Sequence, residues 1–170
     1  NLPKEIKLIK VKGLTVNSKK VKSGYIFFAI NGSKQNGEKF IPEAIKKKAI
    51  AIVCSKKCKY YSKNVPVIKS SNIRSLLSEV CSKFYKSKPK NIIAVTGTNG
   101  KTSVTDLFYQ ILKLNNKPAA SIGTLGVKFN GKTIKTKLTS PDTISLHQIL
   151  EKMKKKRIDN VIIEASSHGL

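Results

Sequence analysis

An apolar run, a glycine turn and an amphipathic segment follow one another between Asn91 and Leu114, and this succession restricts the fold more than any other feature of the chain. Asn91-Ile92-Ile93-Ala94-Val95-Thr96 reads as a continuous β run. Gly97-Thr98-Asn99-Gly100 reads as a turn, and Lys101-Thr102-Ser103 opens a helix that carries Leu107, Phe108, Ile111, Leu112 and Leu114. A strand that feeds a helix through such a turn aims several backbone N–H groups, and the positive end of the helix dipole, at one point. Gly97 and Gly100 permit backbone angles and a close approach that side chains would block. Lys101 can then reach the β- and γ-phosphates of a nucleotide, and the Thr102 hydroxyl can bind Mg²⁺. Val95 stands where the first glycine of the common G-x-x-x-x-G-K-[ST] loop belongs, so the match is to a variant of that loop.

The rest of the chain divides around this motif. Leu14-Thr15-Val16 and Tyr25-Ile26-Phe27-Phe28-Ala29-Ile30 read as strands, and the segment from Asn31 to Gly37 is rich in turn formers. Phe40, Ile41, Ala44 and Ile45 fall at helical spacing through Lys48. Ala49 through Cys54 reads as a buried strand and Val65-Pro66-Val67-Ile68 as a shorter one. Asn72 is placed to cap a helix whose apolar face is Ile73, Leu76, Leu77, Val80 and Phe84. Ser87-Lys88-Pro89-Lys90 is a polar break with a proline, which sets a domain boundary, 1–88 and 89–170. Beyond it Ala119, Ala120 and Ile122 begin another strand. Val127 to Ile134 alternates about Asn130-Gly131, a hairpin signal. Ile144, Leu146, Ile149, Leu150 and Met153 fit a helix, and Val161-Ile162-Ile163 is another buried strand. Strands alternating with helices predict α/β units with ligands at the carboxyl ends of parallel strands. A doubly wound sheet would continue past the last strand. The chain therefore reads as part of a longer protein, with its start trimmed, since the only methionine is Met153.

Charge bears on partners. The 170 residues hold 34 Lys+Arg against 9 Asp+Glu, a formal net charge of +25. Such a balance commonly accompanies nucleic-acid binding. Here all the basic residues except Arg74 and Arg157 are lysine, spread along the whole chain, and lysine is a solvated point charge without the arginine fork. A lysine-rich composition coating a solvated surface explains the charge better than a polyanion site. With 39% hydrophobic residues the chain can build a core, and no apolar run approaches the length of a transmembrane helix. Cys54, Cys58 and Cys81 form no ligand pairs and no disulfide framework, so buried thiols in a reducing cytoplasm are expected.

The loop Thr96-Gly97-Thr98-Asn99-Gly100-Lys101-Thr102 resembles the TGTNGKT loop of the Mur ligases, which form amide bonds at the expense of ATP in peptidoglycan synthesis. Folylpolyglutamate and cyanophycin synthetases share this loop type. Three further segments resemble the MurE type. Glu164-Ala165-Ser166-Ser167-His168-Gly169-Leu170 is similar to its E-[VA]-S-S-H-G-L element, and Ile122-Gly123-Thr124-Leu125-Gly126 to its GT-[ILV]-G segment. Leu14 through Ile30 resembles the L-x-x-DSR-x-V-x-x-GD-[IL]-F-[VF]-A-[IVL] pattern of the uridine-nucleotide-binding domain, continued by Gly32, Gly37, Phe40, Ile41 and Ala44. Asn17 and Lys19 stand in place of that pattern's Asp and Arg, and Tyr25 in place of its second Asp.

The resemblance implies a small uridine-nucleotide-binding α/β domain followed by the first part of a P-loop central domain with a mainly parallel sheet. It implies an ATP- and Mg²⁺-dependent ligase that adds a diamino acid to UDP-N-acetylmuramoyl-L-alanyl-D-glutamate through an acyl phosphate. Gly97, Thr98, Asn99, Gly100, Lys101, Thr102 and Ser103 would hold ATP, with Lys101 and Glu164 catalytic and Thr102 and Glu164 on the metal. Thr139, Ser140 and Ser166 would contact the dipeptide, and Val16, Ser18, Ser33, Lys34 and Gln35 the uridine nucleotide. Ser140-Pro141-Asp142 also reads as a capping turn. His168 lies in the family element without an assigned role. A monomeric cytoplasmic enzyme is expected, with no nucleic-acid or membrane partner. The 170 residues alone are expected to be inactive. The choice between meso-diaminopimelate and L-lysine stays open, and the other readings are a folate- or cyanophycin-type ligase and a basic nucleic-acid-binding NTPase.

Overall fold

The computed structural model describes residues 10–32, 35–135 and 141–165. The chain forms two compact units, Asn1–Cys81 and Ser82–Leu170.

In the first unit four parallel strands lie in sequence order: β1 (Gly13–Thr15), β2 (Tyr25–Phe28), β3 (Ala51–Ser55) and β4 (Val67–Ser70). Parallel strands covered on both faces read as continuous apolar runs rather than alternating ones. That is how β2 and β3 behave, since Ile26, Phe27, Phe28 and Ala51, Ile52, Val53, Cys54 are all buried. Phe27, Ala29, Ile52 and Cys54 pack on Ile41 and Ala44 of α1 (Ile41–Lys46), with Val21, Ala49 and Cys58. The three cysteines are buried, and none forms a disulfide among the described residues. Burial, and then the neighbouring Cys58, pushes the Cys54 thiol up to about 12.

Several element ends differ from the sequence reading, each for a local reason. Val16 lies outside β1 because a turn begins there: the Asn17 N–H donates to Thr15 Oγ1 at 3.1 Å. Ile30 lies outside β2, its N–H turning back to the Phe28 carbonyl at 3.0 Å. The helix expected through Lys48 is a 3₁₀ turn, Gly37–Phe40, followed by the six-residue α1, and Lys48 sits at φ 63° past its end. β4 starts at Val67. Pro66 accepts from the Ile52 N–H at 2.9 Å but has no N–H to return to the ladder. Helix α2 (Ile73–Phe84) is capped as expected, with Asn72 Oδ1 accepting from the Ser75 N–H at 3.0 Å.

The second unit is built on five strands, β5 (Asn91–Val95), β6 (Ala119–Gly123), β7 (Gly126–Phe129), β8 (Lys132–Ile134) and β9 (Asn160–Glu164), in the order β5-β9-β6-β7-β8. β5, β9 and β6 are parallel, and β7 and β8 add an antiparallel hairpin. Asn130 and Gly131 make its turn at φ 47° and 72°. Helix α4 (Thr143–Lys155) covers one face, where Leu150 and Met153 meet Ala120, Ile122, Val161 and Ile163. Helix α3 (Lys101–Leu114) lies against β6 and β9.

Helix α3 stands where the sequence places it, but its apolar residues do not all meet the sheet. Its buried residues are Thr105 and Tyr109, while Leu107, Ile111 and Leu114, among the apolar residues that the sequence puts on this helix, are exposed, Leu114 to 81%. The helix is apolar around more than one face, and spacing alone does not say which face meets the sheet. Among the described residues no helix is long and apolar enough to cross a membrane.

Candidate functional site

The period of two in a strand decides where the site can form. In β9, Val161 and Ile163 face α4, so Asn160, Ile162 and Glu164 face the side on which α3 lies. Glu164 pairs in register with Val95, the last residue of β5, and the Ala165 N–H donates to the Val95 carbonyl at 2.9 Å. The carboxylate is thus fixed at the carboxyl end of the parallel strands, next to the turn that opens α3.

That turn ends on Gly100 at φ 77°, in the left-handed region, and no side chain caps α3. Its first N–H groups remain available for an anion, with the helix dipole behind them. Lys101 Nζ donates to the Gly97 carbonyl at 2.6 Å and the Thr98 carbonyl at 3.1 Å, so the ammonium is folded over its own loop.

Glu164 is only 2% exposed. The Thr102 hydroxyl donates to Oε2 at 3.0 Å. From the β6–β7 turn, the Thr124 hydroxyl donates to Oε2 at 2.9 Å and its backbone N–H to Oε1 at 3.2 Å. Gly123 makes this arrangement possible, because a Cβ there would overlap the Glu164 carboxylate. Thr102, Thr105, Asp106, Ser121, Gly123 and Leu125 line a small recess with Glu164. Thr105 Oγ1 is buried with no hydrogen-bond partner among the described residues. Asp106 accepts from Lys128 at 2.5 Å, and that hydrogen bond holds its carboxyl below the ordinary aspartate value.

The donors fit Mg²⁺. Among the described residues no three His, Cys, Asp or Glu side chains form a metal cage. Mg²⁺ in nucleotide sites takes one or two protein oxygens and completes its shell with phosphates and water. The Thr102 hydroxyl and Glu164 carboxylate, 3.0 Å apart beside an uncapped helix start, are such a pair of hard oxygen donors.

In the first unit, Val16 and Gln35 follow adjacent parallel strands β1 and β2, at the carboxyl end of the sheet. Val16 is exposed. Ser18 is buried, and its hydroxyl donates to Glu43 Oε2 at 2.6 Å. Lys47 Nζ pairs with Glu43 at 3.0 Å and caps the Ser18 and Lys19 carbonyls at 3.3 and 3.2 Å. The Ser18 hydrogen bond, and then Lys47, hold the Glu43 carboxyl low. Ser33, Lys34, Thr139, Ser140, Ser166 and His168 lie outside the described residues. Thr124 received no role from the sequence. Its place in a Gly-Thr-x-Gly turn directly after a strand was the available signal.

Residues 10–85 match the model of the Mur ligase family catalytic domain, and residues 95–170 match the Mur ligase middle domain. The chain belongs to the Mur ligase family. Among relatives of this Mur ligase chain is a UDP-N-acetylmuramoyl-L-alanyl-D-glutamate–2,6-diaminopimelate ligase of Rickettsia montanensis, 41% identical over 177 residues, covering all of this chain and 36% of the relative. The protein of the same name from Brucella melitensis biotype 1 is 36% identical over 168 residues, 99% of this chain and 34% of its own length. A solved structure of a ligase with that name superposes with a TM-score of 0.78 at 28% identity, over 94% of this chain and 32% of that one. MurF ligase from Thermotoga maritima, solved with ADP, shares the fold at a TM-score of 0.62 and 20% identity, over 92% of this chain and 32% of that one. This Mur ligase chain thus spans about a third of the length of the relatives it matches.

Proposed function

We propose that the protein carrying this chain is an ATP-dependent ligase of the MurE type, which joins 2,6-diaminopimelate to UDP-N-acetylmuramoyl-L-alanyl-D-glutamate. The observation that carries the reading is the uncapped start of α3 beside the Thr102–Glu164 pair, behind a loop with Lys101 at its end. The diamino acid and the UDP-dipeptide come from the names of the relatives at 36–41% identity.

The chemistry asks for what these residues offer. Transfer of the γ-phosphoryl group to the terminal carboxylate brings two anions together. The barrier is lowered by neutralising charge and aligning the groups rather than by covalent help from the protein. The amide groups of Gly97 to Ser103 and the dipole of α3 cradle the phosphates. Lys101 leaves the Gly97 and Thr98 carbonyls and turns to the phosphates. Mg²⁺, held by Thr102 and Glu164, would supply charge neutralisation at the transferred group. The amine of diaminopimelate then attacks the acyl phosphate, forming the amide and releasing phosphate. Val16, Ser18, Ser33, Lys34 and Gln35 line the uridine subsite in this reading, with Ser18 acting through its oxygen or backbone because Glu43 takes its hydrogen. Thr139, Ser140 and Ser166 contact the dipeptide. A cytoplasmic setting, where ATP is available, goes with this reading.

Phosphate release by the intact protein tests this. It should require ATP, the UDP-dipeptide and diaminopimelate together, and Lys101→Ala should lower kcat by at least about 10²-fold, as for loss of a charge-stabilising donor. Release indifferent to the UDP-dipeptide, or an unimpaired Lys101→Ala protein, would overturn it.

A further inference from the structure

We infer that Thr124 is a positioning residue for the metal–nucleotide centre, holding the Glu164 carboxylate in the orientation that presents Oε2 beside the Thr102 hydroxyl. The inference rests on the phosphate-loop and metal reading above, and names a residue that reading does not use.

The geometry is specific. Thr124 reaches both carboxylate oxygens from a single residue, the hydroxyl to Oε2 at 2.9 Å and the N–H to Oε1 at 3.2 Å. One contact would leave the carboxylate free to rotate about its last bond, whereas two contacts on different oxygens fix its plane. Oε2 then receives two hydroxyls, from Thr102 at 3.0 Å and from Thr124. Their roles differ by position. Thr102 opens α3 and shares the phosphate-binding turn, so its oxygen faces whatever cation the phosphates bring. Thr124 lies on the β6–β7 turn, held by the Gly123–Gly126 pair, and its grip on Glu164 is independent of the loop that must adjust to nucleotide. Groups of this kind, which fix a ligand without touching the metal, typically contribute 10- to 100-fold in metal affinity.

Thr124 is itself exposed on a turn, so its side chain can be exchanged without emptying the core. Mn²⁺ can be titrated into the intact protein in the presence of ADP and followed by electron paramagnetic resonance. The wild type should show one nucleotide-dependent site, which Thr102→Val abolishes. Thr124→Val should weaken that site about tenfold and leave ADP affinity in EDTA unchanged, and Thr124→Ser should restore Mn²⁺ affinity to within about twofold of wild type. Unchanged Mn²⁺ affinity in Thr124→Val overturns the inference while leaving the phosphate-loop reading intact. Tighter binding also overturns it, since Thr124 would then be competing with the cation for Oε2. A parallel loss of metal-free ADP affinity overturns it by assigning the effect to the fold. A wild type with no nucleotide-dependent Mn²⁺ site removes the metal reading and this inference with it.

Discussion

His147 stacks on Tyr85, ring centroids 6.1 Å apart and planes 17° from parallel, with Nδ1 buried and no hydrogen-bond partner for it among the described residues. Burial, and then the charge of Lys88, hold its pKa below the ordinary histidine value. The unfolded chain therefore binds the proton more readily. The stability this histidine contributes is complete above about pH 6.5 and is lost as pH falls from there through the lower folded value. Urea midpoints measured from pH 8 to pH 5 should fall over that window. His147→Phe keeps a ring on Tyr85 and should flatten the fall. At the same scale, Lys101 and Glu164 were legible because they sit in short motifs of fixed chemistry. The Thr124–Glu164 contact was not, because it joins residues 40 positions apart and depends on β6 and β9 being neighbours.

Local chemistry settled most elements in advance. The Asn130-Gly131 turn, the strand ahead of the phosphate loop and the cap at Asn72 all rest on a few adjacent residues, and each is where the sequence places it to within a residue. The start of α4 is of the same kind. Asp142 Oδ1 accepts from the Ser145 N–H at 3.0 Å and Oδ2 from its hydroxyl at 2.6 Å. Asp142→Ala should cost about 1 kcal/mol, read as a lower urea midpoint with unchanged slope. What escaped was set by tertiary partners. Helix α3 has apolar residues on two faces, and only the sheet selects Thr105 and Tyr109 over Leu107 and Ile111. The ends of β1 and β2 escaped for a smaller reason, the local turns at Asn17 and Ile30.

Across the whole molecule, the alternation of strands and helices announced two α/β units, and the parallel β5-β9-β6 arrangement put the site at the strands' carboxyl ends. The order of strands within each sheet was beyond reach, because it is fixed by contacts that no single segment encodes. Among the described residues that order leaves the second sheet with two unlike outer strands. β8 is exposed throughout and carries Lys132, with Lys135 just beyond, a common protection against strand-to-strand addition. β5 carries no charge from Asn91 to Val95 and exposes Ile92 and Ile93 to 41% and 39%. Mutual repulsion of +25 molecules should hold two such β5 edges apart in the 170-residue chain, and added salt should screen it. Between about 0.01 M and about 1 M the screening length shrinks from about 30 Å to about 3 Å. Sedimentation should accordingly show self-association of this chain growing with ionic strength, and Ile93→Lys should suppress it. The lysine coat would then act as a colloidal stabiliser, and stocks of the isolated chain should keep best in dilute buffer, contrary to the usual habit of adding salt to a basic protein.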